Sequence, residues 1–227
     1  MKPLLLRNLI RIAFHNIRLV ISPQVYNLIK KAFQKKIEKD YNEYEKRGCP
    51  VPPPHIIKQM TITEYQNKYR YDVFIETGTF FGDMVEAQKK RFARVISIEL
   101  GVKLFNKATK RFRKDENVTI VFGDSGKVLP KILLEINEPV IFWLDGHYSE
   151  GVTASGETKC PIFQELDAIF NRNEFNHILL IDDARCFDGE GDYPSISQLI
   201  EYVQRKNENY QVEIKNDIIR FSPTMSC

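Results

Sequence analysis

"YDVFIETGTFFGDM", residues 71–84, runs from an apolar stretch through two glycines to Asp83. Val73, Phe74 and Ile75 follow one another with no polar residue between them. That is the pattern of a strand covered on both faces, not of one with a wet side. Gly78 and Gly82 let the backbone turn tightly and come close to a ligand, and a helix opens directly behind them. The full G-x-G-x-x-G fingerprint is absent, so taken alone the segment is weak evidence, with a plain strand-to-helix turn as the alternative. Its neighbours decide the fold.

The unit repeats along the chain. A helix over 83–92 is followed by the strand "ARVISIEL" (93–100) and a helix over 101–113. "NVTIVFGD" (117–124) reads as a strand, "GKVLPKILLEI" (126–136) as a helix and "PVIFWLDG" (139–146) as a strand. After a polar loop come a helix near 161–171, the strand "HILLIDDA" (177–184) and a helix near 195–207. "YQVEIKN" and "DIIRFSP" alternate, and read as antiparallel strands joined at a tight Asn216-Asp217 turn. Strands alternating with helices predict an α/β fold with a parallel sheet covered on both faces. In such sheets ligands bind outside the carboxyl ends of the strands, so function is to be sought in the residues that follow each strand.

Residues 1–55 have a different character. The first 47 carry eleven Lys and Arg against four Asp and Glu, a net of +7 that leaves −4 for the rest of a +3 chain. Ile29, Phe33, Ile37, Tyr41 and Tyr44 recur at steps of four and three, which predicts an amphipathic helix over 25–47 with a charged outer face. The prolines of "GCPVPPPH" (48–55) end it. The expected organisation is therefore a basic helical extension, 1–55, before a main domain, 56–227. In residues 1–21 the apolar run is broken by Arg7, Arg11, His15 and Arg18, so it is neither a secretory leader nor a membrane span. This segment suits packing on the body, a second subunit or a membrane surface. Residues 1–47 are thus expected to contact an anionic surface or a subunit in a homo-oligomer, with a solvated helix face as the plain alternative. Cys49, Cys160, Cys186 and Cys227 form no C-x-x-C pair, and a reducing cytoplasm is expected, with peripheral attachment to the inner membrane face left open.

The strand ends carry polar groups in a telling order. Glu99 ends the second strand, where an acidic side chain can accept hydrogen bonds from the hydroxyls of a ribose. Asp124 and Ser125 follow the third strand, where they could meet an adenine. The ordered set "FIETGTFFGD", "VISIE", "VFGDS" and "FWLDGH" resembles the successive motifs of class I S-adenosylmethionine-dependent methyltransferases, over roughly residues 56–227. This resemblance implies a Rossmann-like, mostly parallel seven-stranded sheet with a C-terminal antiparallel hairpin. It also implies that Glu76, Thr77, Gly78, Thr79 and Gly82 wrap the methionine part of the cofactor. Glu99 would hold its ribose, Asp124 and Ser125 would flank its adenine, and Asp145 would border it.

Strand four delivers Asp145 and His147, and strand five delivers Asp182 and Asp183. Three carboxylates on adjacent parallel strands repel unless a cation sits among them, and a hard divalent ion such as Mg²⁺ suits oxygen ligands. The arrangement is similar to metal-dependent O-methyltransferases of the catechol type, and closer to the macrocin type, which methylates sugar hydroxyls. Where those enzymes have "LDGD" this chain has "LDGH". By position, Asp145, Asp182 and Asp183 would bind metal and His147 would stand where the base stands. An imidazole, with an ordinary pKa of about 6.5, is a reasonable proton acceptor. One of the paired aspartates could instead cap the next segment or bind Arg185. Trp143, the sole tryptophan, reads as core.

The polar loop "YSEGVTASGETKCP" (148–161) has the length of a functional lid and offers Tyr148, Ser149, Thr153 and Lys159 to an acceptor. "RCFDGEGDYPS" (185–195), beginning with Arg185, is expected to form the opposite wall. The expected reaction is O-methylation of a sugar or glycoconjugate, a small-molecule or glycan acceptor rather than a nucleic acid. N-methylation of an amino sugar or small amine, and a non-catalytic scaffold docking through its basic helices, are the alternatives.

Overall fold

The computed structural model of the protein describes residues 22–145, 160–172 and 174–224. Two compact units divide at Arg70 and Tyr71.

In the first unit, helix α1 spans Pro23–Lys46. The Ser22 hydroxyl accepts the Val25 N–H at 3.4 Å, and Pro23 occupies the first turn, where its missing N–H would have no helical partner anyway. Ile37 and Tyr44 on the apolar face are buried. A second helix, α2 (His55–Tyr69), follows the prolines. Sequence periodicity assigns no element there, because the residues it buries, Ile57, Thr61, Ile62, Thr63 and Tyr65, mix hydroxyls with apolar groups instead of forming an apolar stripe. The threonines satisfy themselves locally. Thr61 Oγ1 donates to the Ile57 carbonyl at 3.1 Å, and Thr63 Oγ1 to the Gln59 carbonyl at 2.9 Å.

The second unit is the α/β domain. Its elements in order are β1 (Val73–Thr77), α3 (Asp83–Gln88), β2 (Arg94–Glu99), α4 (Val102–Phe112), β3 (Val118–Phe122), α5 (Ser125–Leu133), β4 (Val140–Leu144), α6 (Ile162–Phe170) and β5 (Ile178–Ile181). A 3₁₀ turn (Ala184–Cys186), α7 (Ile196–Lys206), β6 (Tyr210–Lys215) and β7 (Ile218–Pro223) complete it. The seven strands lie in the order β3-β2-β1-β4-β5-β7-β6. β1 to β5 are parallel, and β7 is antiparallel to both β5 and β6. This is the sheet the sequence predicts, hairpin included.

Burial explains the pattern. Every residue of β1, β4, β5 and β7 is buried, whereas the edge strand β3 is half exposed. Trp143 is 1% exposed and belongs to the core. Between β6 and β7, Lys215 pairs with Ile218, leaving a two-residue turn. Asn216 and Asp217 both have positive φ, 55° and 60°. That is the mirror-image turn whose twist suits a hairpin, and asparagine and aspartate tolerate it better than most residues.

Chain order reverses between β1 and β4, which makes their carboxyl ends the switch point beside which such sheets bind ligands. Register aligns those ends, with Thr77 opposite Leu144 and Leu144 opposite Ile181. The turn after β1 is held from behind: the N–H groups of Gly78 and Thr79 donate to the Ile98 carbonyl at 2.9 and 3.2 Å.

Gly82 heads α3 with φ 78°, and a Cβ there would lie 2.6 Å from the buried Phe112 ring. Gly82→Ala combines a disfavoured backbone with an overpacked contact. It should lower the unfolding free energy by about 1–3 kcal/mol in urea denaturation.

Candidate active site

The carboxyl edge of the sheet gathers acidic side chains. Glu76, the fourth residue of β1, is 2% exposed. The Ser97 hydroxyl, on the neighbouring β2, lies 2.5 Å from Glu76 Oε2 and 2.6 Å from Thr79 Oγ1, so one hydroxyl ties the carboxyl to the turn that follows it. Burial holds Glu76 well above the usual carboxylate range; the Ser97 hydrogen bond opposes this, and Asp145, Glu99 and Asp83 add to it.

Glu99 closes β2 and is 5% exposed. Its two oxygens accept the Phe80 N–H at 2.8 Å and the Gly101 N–H at 2.7 Å. A carboxylate offers about four lone-pair sites, so two backbone bonds leave capacity for ribose hydroxyls. Phe80 reaches Glu99 by adopting φ 50°, which is uncommon for a bulky residue. Asp124 caps α5, its Oδ1 accepting the Gly126 N–H at 3.0 Å, and Ser125 is buried at the start of that helix. Thr77 fastens β1 to the end of β4: the Asp145 N–H donates to both its carbonyl and its hydroxyl, at 3.2 and 3.1 Å.

Asp145, Asp182 and Asp183 converge as the sequence predicts. Each offers a carboxylate oxygen, and these atoms lie within 4.8 Å of one another. Asp182 is fully buried and its Oδ1 accepts the Asp183 N–H at 2.8 Å. The donor set of clustered carboxylate oxygens fits a hard divalent cation. Asp183 is also paired with a cation of the chain itself, as Arg185 Nη1 donates to its Oδ1 at 2.8 Å. The same nitrogen pairs with Asp217, whose Oδ1 accepts the Arg185 backbone N–H at 2.8 Å. Arg185 is therefore held beside the acidic cluster, with its side chain 37% exposed.

Three partners escape the sequence reading. Ser97 is an unremarked residue inside an apolar strand. Asp217 lies in a hairpin turn 32 residues from Arg185. Tyr193, half-buried, has its phenol pushed up to about 12 by burial, with the neighbouring thiols and then Asp183 and Asp145 contributing. No local pattern marks any of them. His147, Gly146, Tyr148, Ser149, Thr153 and Lys159 lie outside the described residues. Cys49, Cys160 and Cys186 are free thiols, and no described helix is long and apolar enough to cross a membrane.

No family model and no curated protein matches the sequence. Solved structures do match. The O-methyltransferase TomG of Streptomyces achromogenes, involved in tomaymycin synthesis and bound to S-adenosylmethionine, aligns with a TM-score of 0.53 and 13% identity, over 84% of this chain and 89% of its own. An O-methyltransferase from Bacillus cereus in complex with S-adenosylhomocysteine aligns at 0.53 and 11%, over 83% and 90%. An S-adenosylhomocysteine-bound methyltransferase of Podospora anserina aligns at 0.55 and 11%, over 90% and 97%. The chain has the Rossmann-like class I methyltransferase fold.

Glu76 gives a pH signature. Its folded-state pKa is raised, so the folded protein binds the proton more tightly than the unfolded chain does. That stabilisation is complete below the unfolded value of about 4.5 and is lost as pH rises through the folded value. Without cofactor, unfolding free energy should fall over this window in the wild type, and the fall should flatten in Glu76→Gln. Urea titrations across pH 4–8 read the difference.

Proposed function

We propose that the protein is an S-adenosylmethionine-dependent O-methyltransferase that acts on a hydroxyl of a sugar or glycoconjugate, assisted by a divalent metal and with His147 as general base. One observation carries the cofactor assignment: at the switch point the carboxyl groups of Glu76, Glu99 and Asp145 lie close enough to influence one another, an acidic setting that suits a cationic ligand. S-adenosylmethionine, when bound, supplies such charge on its ammonium and sulfonium groups, and the sulfonium activates the methyl. In this reading Glu76, Thr77, Gly78, Thr79 and Gly82 surround the methionine part, Glu99 orients the ribose, and Asp124 and Ser125 border the adenine.

Asp145, Asp182 and Asp183 are the residues that would hold the metal, and their mutual proximity supports this. A divalent ion there would act as Lewis acid toward the acceptor oxygen. The chain's own part is to place the acceptor hydroxyl against the methyl and to take its proton. Holding two reacting atoms in line supplies much of a rate enhancement. His147, two residues beyond Asp145, would accept that proton on an imidazole nitrogen. The polar segment after β5, with Asp188, Glu190 and Asp192 in sequence, supports a hydrophilic acceptor.

The first test is binding. Calorimetry should give saturable uptake of S-adenosylhomocysteine, lost or strongly weakened in Glu99→Ala. Absence of uptake by the wild type would leave a scaffold as the better reading.

A second test addresses metal and base. Mn²⁺ should bind the wild type and fail to bind Asp182→Asn. Arg185→Gln, which releases Asp183 from its internal cation, should bind Mn²⁺ at least tenfold more tightly, since a nearby unit charge at about 4 Å opposes a dication by more than 1 kcal/mol even in water. With an identified acceptor, His147→Ala should lower turnover by about 10²–10⁴. Full turnover in chelator with no Mn²⁺ uptake would favour methylation of an amine.

A further inference from the structure

Helix α4 presents a face that methyl transfer does not use. Lys103, Lys107, Lys110 and Lys114 stand at i, i+4, i+7 and i+11, one stripe along the helix and the turn that ends it. All four are exposed, while Leu104, Ala108 and Phe112 are buried in the domain. A groove of about 430 Å³ lies along this part of the helix, and the described residues that line it are all cationic: Lys107, Lys110, Arg111, Arg113 and Lys114. Among the described residues only Arg111 of this set has ion-pair partners, Asp83 at 2.8 Å and Glu86 at 3.8 Å. The nearby acidic groups are Asp115, engaged by Lys89 at 3.0 Å, and exposed Glu116. Favourable interaction with the helix dipole accounts for cations in the last turn, Lys110 and Arg111, but not for Lys103 and Lys107.

Apolar side chains flank the cations. Arg111 Nη1 donates to the Phe81 carbonyl at 2.5 Å, which joins the groove to the exposed Phe80 and Phe81 (43% and 50%). At the other end of the helix Val102 and Phe122 are 56% and 51% exposed. Unpaired cations bordered by exposed apolar groups match the boundary of a bilayer, where phosphates lie above acyl chains.

We propose that the α4 face docks the protein on an anionic lipid surface, with Lys103, Lys107, Lys110, Arg113 and Lys114 against the phosphates and Val102, Phe122 and the Phe80–Phe81 pair entering the interface. A single-stranded nucleic acid also seeks cations and aromatic rings, but it stacks on open ring faces. Phe80 and Phe81 pack on each other, their ring centroids 4.1 Å apart, and Val102 has no ring to offer. A bilayer interface takes aromatic and aliphatic side chains alike. The lysines and Arg113 have no part in the proposed reaction, Phe80 and Phe81 lie in the turn between Thr79 and Gly82, and none of these residues belongs to the basic segment 1–47.

Sedimentation of the full chain with vesicles tests it. Vesicles of phosphatidylcholine with phosphatidylglycerol should bind the protein, and phosphatidylcholine alone should not. The variant Lys107→Gln/Lys110→Gln/Lys114→Gln, which keeps every charge in residues 1–47, should partition on the order of a hundredfold more weakly. Val102→Ser should weaken vesicle binding several-fold while its circular dichroism matches the wild type. Unchanged partition of the triple variant, or no binding to the anionic vesicles, overturns the proposal. So does tighter binding to a single-stranded oligonucleotide than to the vesicles, if the triple variant loses it.

Discussion

Negative charge gathered at one edge of a buried sheet is the constraint on which the candidate site depends. Parallel strands start and finish in register, so polar residues that end β1, β2, β4 and β5 must meet. Glu76 and Asp182 are almost or wholly withdrawn from water, and Asp145 and Glu99 lie close to Glu76. Carboxylates in this position destabilise one another and the fold. The surrounding groups read as responses to that charge. Ser97 donates to Glu76, backbone N–H groups of Phe80 and Gly101 donate to Glu99, and Arg185 pairs with Asp183. A cationic cofactor and a divalent ion would complete the same compensation.

The strands were legible because they are continuous apolar runs that end on polar residues, a signal that local sequence carries in full. "VFIET", "VIFWL" and "ILLI" are buried at every residue, and a polar residue stands at or directly after the end of each. The convergence of Asp145, Asp182 and Asp183 was legible for the same reason, since strand order converts distant positions into neighbours. Helix α2 was not. Its buried face contains threonines whose hydroxyls return to the preceding turn, so neither composition nor spacing separates it from a loop. The groups that adjust the site were also invisible. Ser97 reaches Glu76 across 21 residues and Asp217 reaches Arg185 across 32, contacts that exist only once the sheet has formed.

Arg185 sharpens the chemistry more than any residue read from a motif. The sequence left three roles open for the aspartates after β5, metal ligand, cap of the next segment or partner of Arg185, and the two side chains have different surroundings. Asp182 is buried and turned toward its neighbour's N–H, while Asp183 is engaged by a guanidinium. A dication among the three carboxylates would meet a cation that already shares one of them. The affinity of a dication here would then be a difference between two cations competing for Asp183, not a property of the three carboxylates alone.

The C-terminal hairpin holds Arg185 in place. Asp217 sits in the β6–β7 turn with its side chain 2% exposed, where it accepts the Arg185 N–H and pairs with the guanidinium; its carbonyl accepts the Ala184 N–H. Two residues in the left-handed region, Asn216 and Asp217, make the turn tight enough for this reach. The antiparallel strand β7, which pairs with β5 at Leu179, Leu180 and Ile181, carries the turn to the same edge as Asp182 and Asp183. A feature that reads in the sequence as the closure of a sheet thus also holds the one cation of the chain seen against the acidic cluster, among the described residues. Removing the turn's carboxylate would release Arg185 as well as the backbone behind it, so the hairpin belongs to the electrostatics of the site and not only to the frame that supports it.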